Sequence, residues 1–247
     1  MRAGPQPLYD TIGIDYARLC RPDPRIAAQI HAALGDAGSV LNVGAGAGSY
    51  EPADREVTAV EPSARMIAQR PPGSAPVVQA VAENLPFADK SFDAAMTVLS
   101  VHHWTDRRRG LAEMRRVARG PIVILTFDPE SAYFWLADYI PALVDLDQGS
   151  MPTLGQVAAW LGPADVAAVP VPHDCTDGFL CAYWRRPEAY LDPRVRAAIS
   201  SFARIGDIDA PLRRLARDIE TGEWARRHAG LLALESCDCG YRLVVAD

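Results

Sequence analysis

No run in the 247 residues reaches the roughly eighteen uninterrupted apolar positions that a membrane-spanning helix needs. The opening MRAGPQPLYD lacks the apolar core of a signal peptide, so neither membrane spanning nor export by that route is expected. Cysteine is scarce and odd in number, and none of the five forms a CxxC pair, which disfavours a disulfide framework and fits a reduced, cytoplasmic setting. Metal ligation is not expected either. Cys237 and Cys239 with His228 lack the paired spacing of a tetrahedral zinc site, and the adjacent His173, Asp174 and Cys175 rarely converge on one ion. Positive charge is in deficit: 25 Lys and Arg against 31 Asp and Glu give a net charge of −6, which repels a polyphosphate backbone. The arginine runs at 107–109 and 213–217 read as solvated helix faces, without the interleaved exposed aromatics of a nucleic-acid platform. Repeats and low-complexity tracts are absent.

What is present is an alternation. Short apolar runs at Ser39–Val43, Val57–Val60, Ala75–Val81, Phe92–Leu99 and Pro121–Thr126 are bounded by Pro, Gly, Asp or charge clusters and read as strands. Between them, Asp23–Leu34, Ser63–Arg70 and Thr105–Val117 begin with capping residues and continue at helical spacing. A helix at Thr153–Leu161, a strand at Ala164–Val171, a helical excursion from Asp192 to about Leu234 and a last strand at Arg242–Ala246 complete the series. The expected fold is α/β: a Rossmann-like, doubly wound, seven-stranded, mostly parallel sheet with a helical insertion between the last two strands. A chain that is 49% hydrophobic suits a single domain. Its expected organisation is an N-terminal lid and first helix over 1–38, a cofactor-binding half over 39–126, and a substrate-binding half over 127–247, with the insertion at about 172–235.

Gly44, Gly46 and Gly48 follow the first strand directly, where glycine allows a tight turn and close approach of a ligand to the backbone. Glu61 ends the second strand 17 positions beyond Gly44, suited to accept two hydrogen bonds from a ribose diol. The stretch SYEPADRE after the loop contains Pro52 and predicts no long helix. A dinucleotide site uses that helix's N-terminus for its pyrophosphate, so the ligand expected here has no phosphates.

Four ordered markers, VLNVGAGAGSY, AVEPS, AENLPF with SFDAAMTVLSVHHW, and PIVILT, make the chain resemble the class I S-adenosylmethionine-dependent methyltransferases. The resemblance covers about Tyr9 to Thr126, and is strongest to the subgroup of small-molecule enzymes of quinone biosynthesis and trans-aconitate methylation. It implies S-adenosylmethionine as cofactor. Gly44 and Gly46 would pass under its methionine part, Glu61 would hold the ribose, Pro62 would lie against the adenine, and Ala82 and Glu83 would read the adenine edge. Leu99 and Ser100 would face the methionine moiety, while Tyr16 and Arg21, from a lead-in resembling YxxxRP with one residue inserted, would close over the cofactor. Asn42 stands where the family usually has Asp or Glu, and Val81 where an Asp often reads the adenine, which moves adenine recognition to Glu83 and backbone groups.

Methyl transfer depends largely on proximity and orientation, with a general base needed only for an acceptor whose proton has a high pKa. His103 and His102, at the C-terminal edge of the sheet, are the candidate bases, His103 preferred; a structural role for the HHW loop is the alternative. Trp104, Phe134, Trp135, Tyr139, Asp177 and Phe179 are the candidate acceptor-binding residues. The expected partner is a small-molecule acceptor, with no nucleic acid and no membrane. Competing readings are a catalytically silent cofactor-binding protein of the same fold and a nicotinamide-dependent dehydrogenase.

Overall fold

Strands that read as continuous apolar runs must be covered on both faces, and alternate residues of each go to opposite sides. A computed structural model, which describes residues 20–130 and 134–247, shows this directly. Along β1 (Ser39–Val43) and β5 (Ile122–Phe127), Val40, Val123 and Leu125 pack with Ile26 and Ile30 of α1 (Pro24–Ala33) on one face. Leu41, Val43, Ile122 and Ile124 pack on the other face against Leu111, Met114 and Val117 of α3 (Arg107–Val117). A third apolar cluster, built on Trp135, Tyr190, Leu215 and Trp224, forms the core of a helical cap.

The sheet also contains β2 (Glu56–Val60), β3 (Val77–Val78), β4 (Ala94–Val98), β6 (Asp165–Ala168) and β9 (Tyr241–Ala246), in the order β3-β2-β1-β4-β5-β9-β6. All neighbours are parallel except β9, which runs antiparallel to both β5 and β6. The seven-stranded, mostly parallel sheet expected from the sequence is therefore present. Strand order reverses between β1 and β4, and the crevice beyond their C-terminal ends is where open α/β sheets bind ligands.

Local chemistry explains the helix starts. Asp23 caps α1 ahead of Pro24, Ser63 caps α2 (Ala64–Ala68), Asp106 caps α3, and Thr153 with Gln156 forms a capping box on α5 (Leu154–Leu161). Two readings need correction. The third strand shrinks to two residues at the sheet edge. The run Ala164–Val171 is split at Pro170, where a proline disfavours continuing a ladder, and β7 (Val171–Pro172) instead pairs with β8 (Ser236–Cys237) in a separate ribbon. The expected helical excursion from Asp192 is present, built of α6 (Pro193–Ala198), α7 (Asp209–Glu220), α8 (Glu223–Arg227) and α9 (Ala229–Leu232). A further helix, α4 (Ala142–Ser150), was not expected. Among the described residues no helix is long and apolar enough to cross a membrane, and no three His, Cys, Asp or Glu side chains gather as metal ligands.

Candidate active site

Beyond Val43 the chain turns sharply. The N–H groups of Gly44 and Ala45 both donate to the Val60 carbonyl, at 2.9 and 3.0 Å, and Gly44 and Gly46 adopt φ of +71° and +53°. A Cβ on Gly44 would lie 1.9 Å from Ser100 Oγ, so the loops after β1 and β4 touch only because this residue has no side chain. Buried Glu61 fastens the turn from below: Oε2 accepts the Gly46 N–H at 2.8 Å and Oε1 the Ser63 N–H at 2.9 Å. No helix intervenes between β1 and β2, as the SYEPADRE stretch predicts, so no helix N-terminus is offered to a pyrophosphate there.

The departure at Asn42 has a local cause. Its Nδ2 donates to Glu51 Oε1 at 3.3 Å, and Arg70 holds both oxygens of the same carboxylate at 2.8 and 2.9 Å. An Asp at position 42 would face Glu51 with like charge. This nearly buried Arg70–Glu51 pair ties the end of α2 to the loop and was not read from the sequence.

Above the loop lies a cleft of about 460 Å³ whose lining includes Asn42, Gly44, Gly46, Leu99, Asp177 and Phe179. Asp177, an expected acceptor contact, lines this cleft together with the glycine loop. Its Oδ2 accepts the Tyr50 hydroxyl at 2.6 Å, and burial pushes its carboxyl up to about 6 despite that bond. Ser100 is buried behind Gly44, and its Oγ accepts Trp104 Nε1–H at 3.1 Å. Trp104 itself packs on Gly110, next to Ala82, and is not among the residues lining either cleft. Glu83 accepts the Asp106 N–H at 3.0 Å, Pro62 is half-buried, and Val81 is exposed. Arg21 is exposed with its side chain outside the cleft lining, and Tyr16 lies outside the described residues. Asp174 pairs with Arg25 at 2.8 Å.

Leu99 is strained, with φ of +48°, a conformation that costs a non-glycine residue about 1–2 kcal/mol. With Phe179 it lines both the first cleft and a second of about 580 Å³, lined also by His102, Asp147, Met151 and Tyr241. Phe127, Asp147 and Leu180 are shared between that second cleft and a neighbouring one of about 470 Å³ walled by Phe134 and Leu143. His102, and not the preferred His103, lines this space. The two rings lie 3.8 Å apart. Burial, with His103, Arg204 and Arg107 adding to it, holds His102 well below the usual imidazole range. Burial also lowers His103, to about 4. Of the expected acceptor aromatics, Phe179 and Phe134 line the cavities. Trp135 is fully buried in the cap core, where its Nε1–H donates to the Trp184 carbonyl, and also walls a separate cavity beyond Phe134. Tyr139 is buried too, its hydroxyl 2.9 Å from Asp218 Oδ2. Asp147 is the polar residue the sequence reading missed. It sits on the unexpected helix α4, whose start at Pro141 has no side-chain cap, and burial raises its carboxyl to about 6.

The methyltransferase domain family matches residues 41–121. A demethylmenaquinone methyltransferase of Thermotoga maritima is 33% identical over 106 residues, which is 38% of this chain and 46% of that protein. A ubiquinone/menaquinone biosynthesis C-methyltransferase of Geobacter sp. is 35% identical over 111 residues, 38% and 47% of the two chains. The matched region thus spans about half the length of these curated relatives. A solved structure from Anabaena variabilis, described as a methyltransferase from an antibiotic biosynthesis pathway, is 34% identical with a TM-score of 0.87, covering 94% of this chain and 100% of that one. The geranyl diphosphate C-methyltransferase of Streptomyces coelicolor, solved with S-adenosyl-L-homocysteine, shares the fold at 14% identity and a TM-score of 0.52, covering 90% and 77%.

Proposed function

Because this chain belongs to the class I S-adenosylmethionine-dependent methyltransferases, we propose that it transfers a methyl group to oxygen, nitrogen or carbon of a small, partly apolar metabolite. The observation that carries this reading is that Leu99 and Phe179 line both a glycine-floored cleft and a neighbouring apolar cavity. The residues present fit the cofactor. Gly44 and Gly46 line the cleft with bare backbone, Glu61 holds a carboxylate beneath the loop, and no phosphate-binding helix follows. S-adenosylmethionine supplies an electrophilic methyl group on a sulfonium.

The chain's own contribution is orientation. The strained Leu99 backbone and the Phe179 ring, tilted against Tyr241 with centroids 4.6 Å apart, form the wall shared by the two clefts. Asp177 supplies, for the cofactor's amino group, the carboxylate that Asn42 cannot. His102, kept neutral, accepts a hydrogen bond from the acceptor. The deciding experiment offers metabolite extracts to the protein with isotopically labelled S-adenosylmethionine. A labelled small molecule is expected. Tight S-adenosylhomocysteine binding with no labelled product would replace this reading with that of a silent cofactor-binding protein.

A further inference from the structure

Within the acceptor cavity one carboxylate stands without an ion-pair partner among the described residues. Asp147 lines both the part beside Leu99 and His102 and the part beside Phe134 and Leu143. Among the described residues its side chain takes part in no hydrogen bond and no ion pair within 4.0 Å. The opposite charge acting on it is Arg204, which is exposed and acts less strongly than burial. No Lys or Arg lines either part of the cavity among the described residues, and His102 is held neutral.

A carboxylate removed from water is costly until something donates to it or neutralises it. An anionic acceptor would be repelled, and a neutral apolar one would leave the charge unpaired. A cation would bring both hydrogen bonds and opposite charge. We propose that the acceptor carries a protonated amine, bound by Asp147, on an apolar body lying against Phe127 and Leu180. A protonated amine has no lone pair with which to attack a methyl group. The amine is therefore the anchor, and the atom that receives the methyl is a different one, on the Leu99 and His102 side. This inference rests on the reading of the two clefts as cofactor and acceptor sites.

The test uses the full chain saturated with S-adenosylhomocysteine, so that only the acceptor side is open, and three probes of matched shape: 3-phenylpropylamine, 3-phenylpropanol and 3-phenylpropionate. The amine should bind on the order of tenfold more tightly than the alcohol, the scale of one charge-assisted hydrogen bond, and the carboxylate more weakly than either. In Asp147→Asn the amine and alcohol should bind alike, with S-adenosylhomocysteine affinity and thermal midpoint not reduced. Equal binding of amine and alcohol by the unaltered protein overturns the proposal. So does an amine preference that survives in Asp147→Asn, or a fall in thermal midpoint with the probe ranking unchanged, which would make Asp147 a structural partner of Arg204. Failure of S-adenosylhomocysteine to bind the unaltered protein would instead overturn the cofactor reading beneath it.

Discussion

The hydroxyl of Tyr50 donates to Asp177 Oδ2 across 2.6 Å, joining the glycine loop to a segment 127 positions later in the chain. Both side chains are buried, and Tyr50 holds φ of +63° to reach its partner. The raised Asp177 carboxyl fixes the sign of a pH effect. A carboxylate whose folded pKa lies above its unfolded value binds more protons when folded, so its contribution to stability falls as pH rises from about 4 through about 6. Relative to the unaltered protein, Asp177→Asn should therefore gain stability over that window, by on the order of 3 kcal/mol at most. Urea unfolding of both proteins at pH 4.5 and 7 gives the difference, with other titrating groups cancelling. The same variant should bind S-adenosylhomocysteine more weakly, since the proposed partner of the ligand's amino group is gone.

Glu61→Ala should weaken S-adenosylhomocysteine binding by roughly 1.5–3 kcal/mol, the range for hydrogen bonds to a charged group. Part of the loss comes from the loop itself, because the Gly46 and Ser63 N–H groups lose their acceptor. Calorimetry on the folded variant measures it, and unchanged affinity would remove Glu61 from the site.

Two glycines in one loop should respond unequally to alanine. Gly44→Ala meets Ser100 at 1.9 Å as well as the positive φ, whereas Gly46→Ala meets only the flexible end of Met66 at 3.3 Å. Expected losses are about 3 kcal/mol or more at Gly44 and about 1–2 kcal/mol at Gly46. Denaturant midpoints would show the order, and equal losses would mean that the loop can move away from Ser100.

For the two histidines, cavity placement decides. If the acceptor carries a proton that must leave, His102→Gln should slow single turnover by about 10²-fold or more, with His103→Gln much less affected. Because burial lowers the His102 pKa, its neutral form persists below the usual 6.5, and this group should introduce no inflection there; activity depending on it falls only at more acid pH. An inflection near 6.5 that vanishes in His102→Gln would contradict the buried environment.

The cofactor half was legible because its signals are local. Glycines needing positive φ, a carboxylate at a strand end and capping residues before helices all lie within a few positions of what they act on, as Gly44, Glu61 and Ser63 show. The rest of the candidate site was not, because its chemistry is assembled across the chain. Asp177 looks like any loop aspartate until Tyr50 reaches it, and Asp147 lies on a helix whose start at Pro141 has no side-chain cap. Trp135 and Tyr139 show the converse: aromatic richness signalled a pocket, and much of it serves the cap core. A single Pro170 separated what read as one strand into members of two sheets.

The antiparallel position of β9 bears on how the molecule is made. It bonds along six residues of β5 and four of β6, so each of those strands waits for the same late segment. Until that segment leaves the ribosome, the nascent chain exposes two open strand edges flanked by apolar side chains, the kind of surface that recruits other chains. Substitutions that weaken β9, such as a proline at Val244, should accordingly appear first as aggregation during synthesis, before any defect in the cofactor cleft is felt.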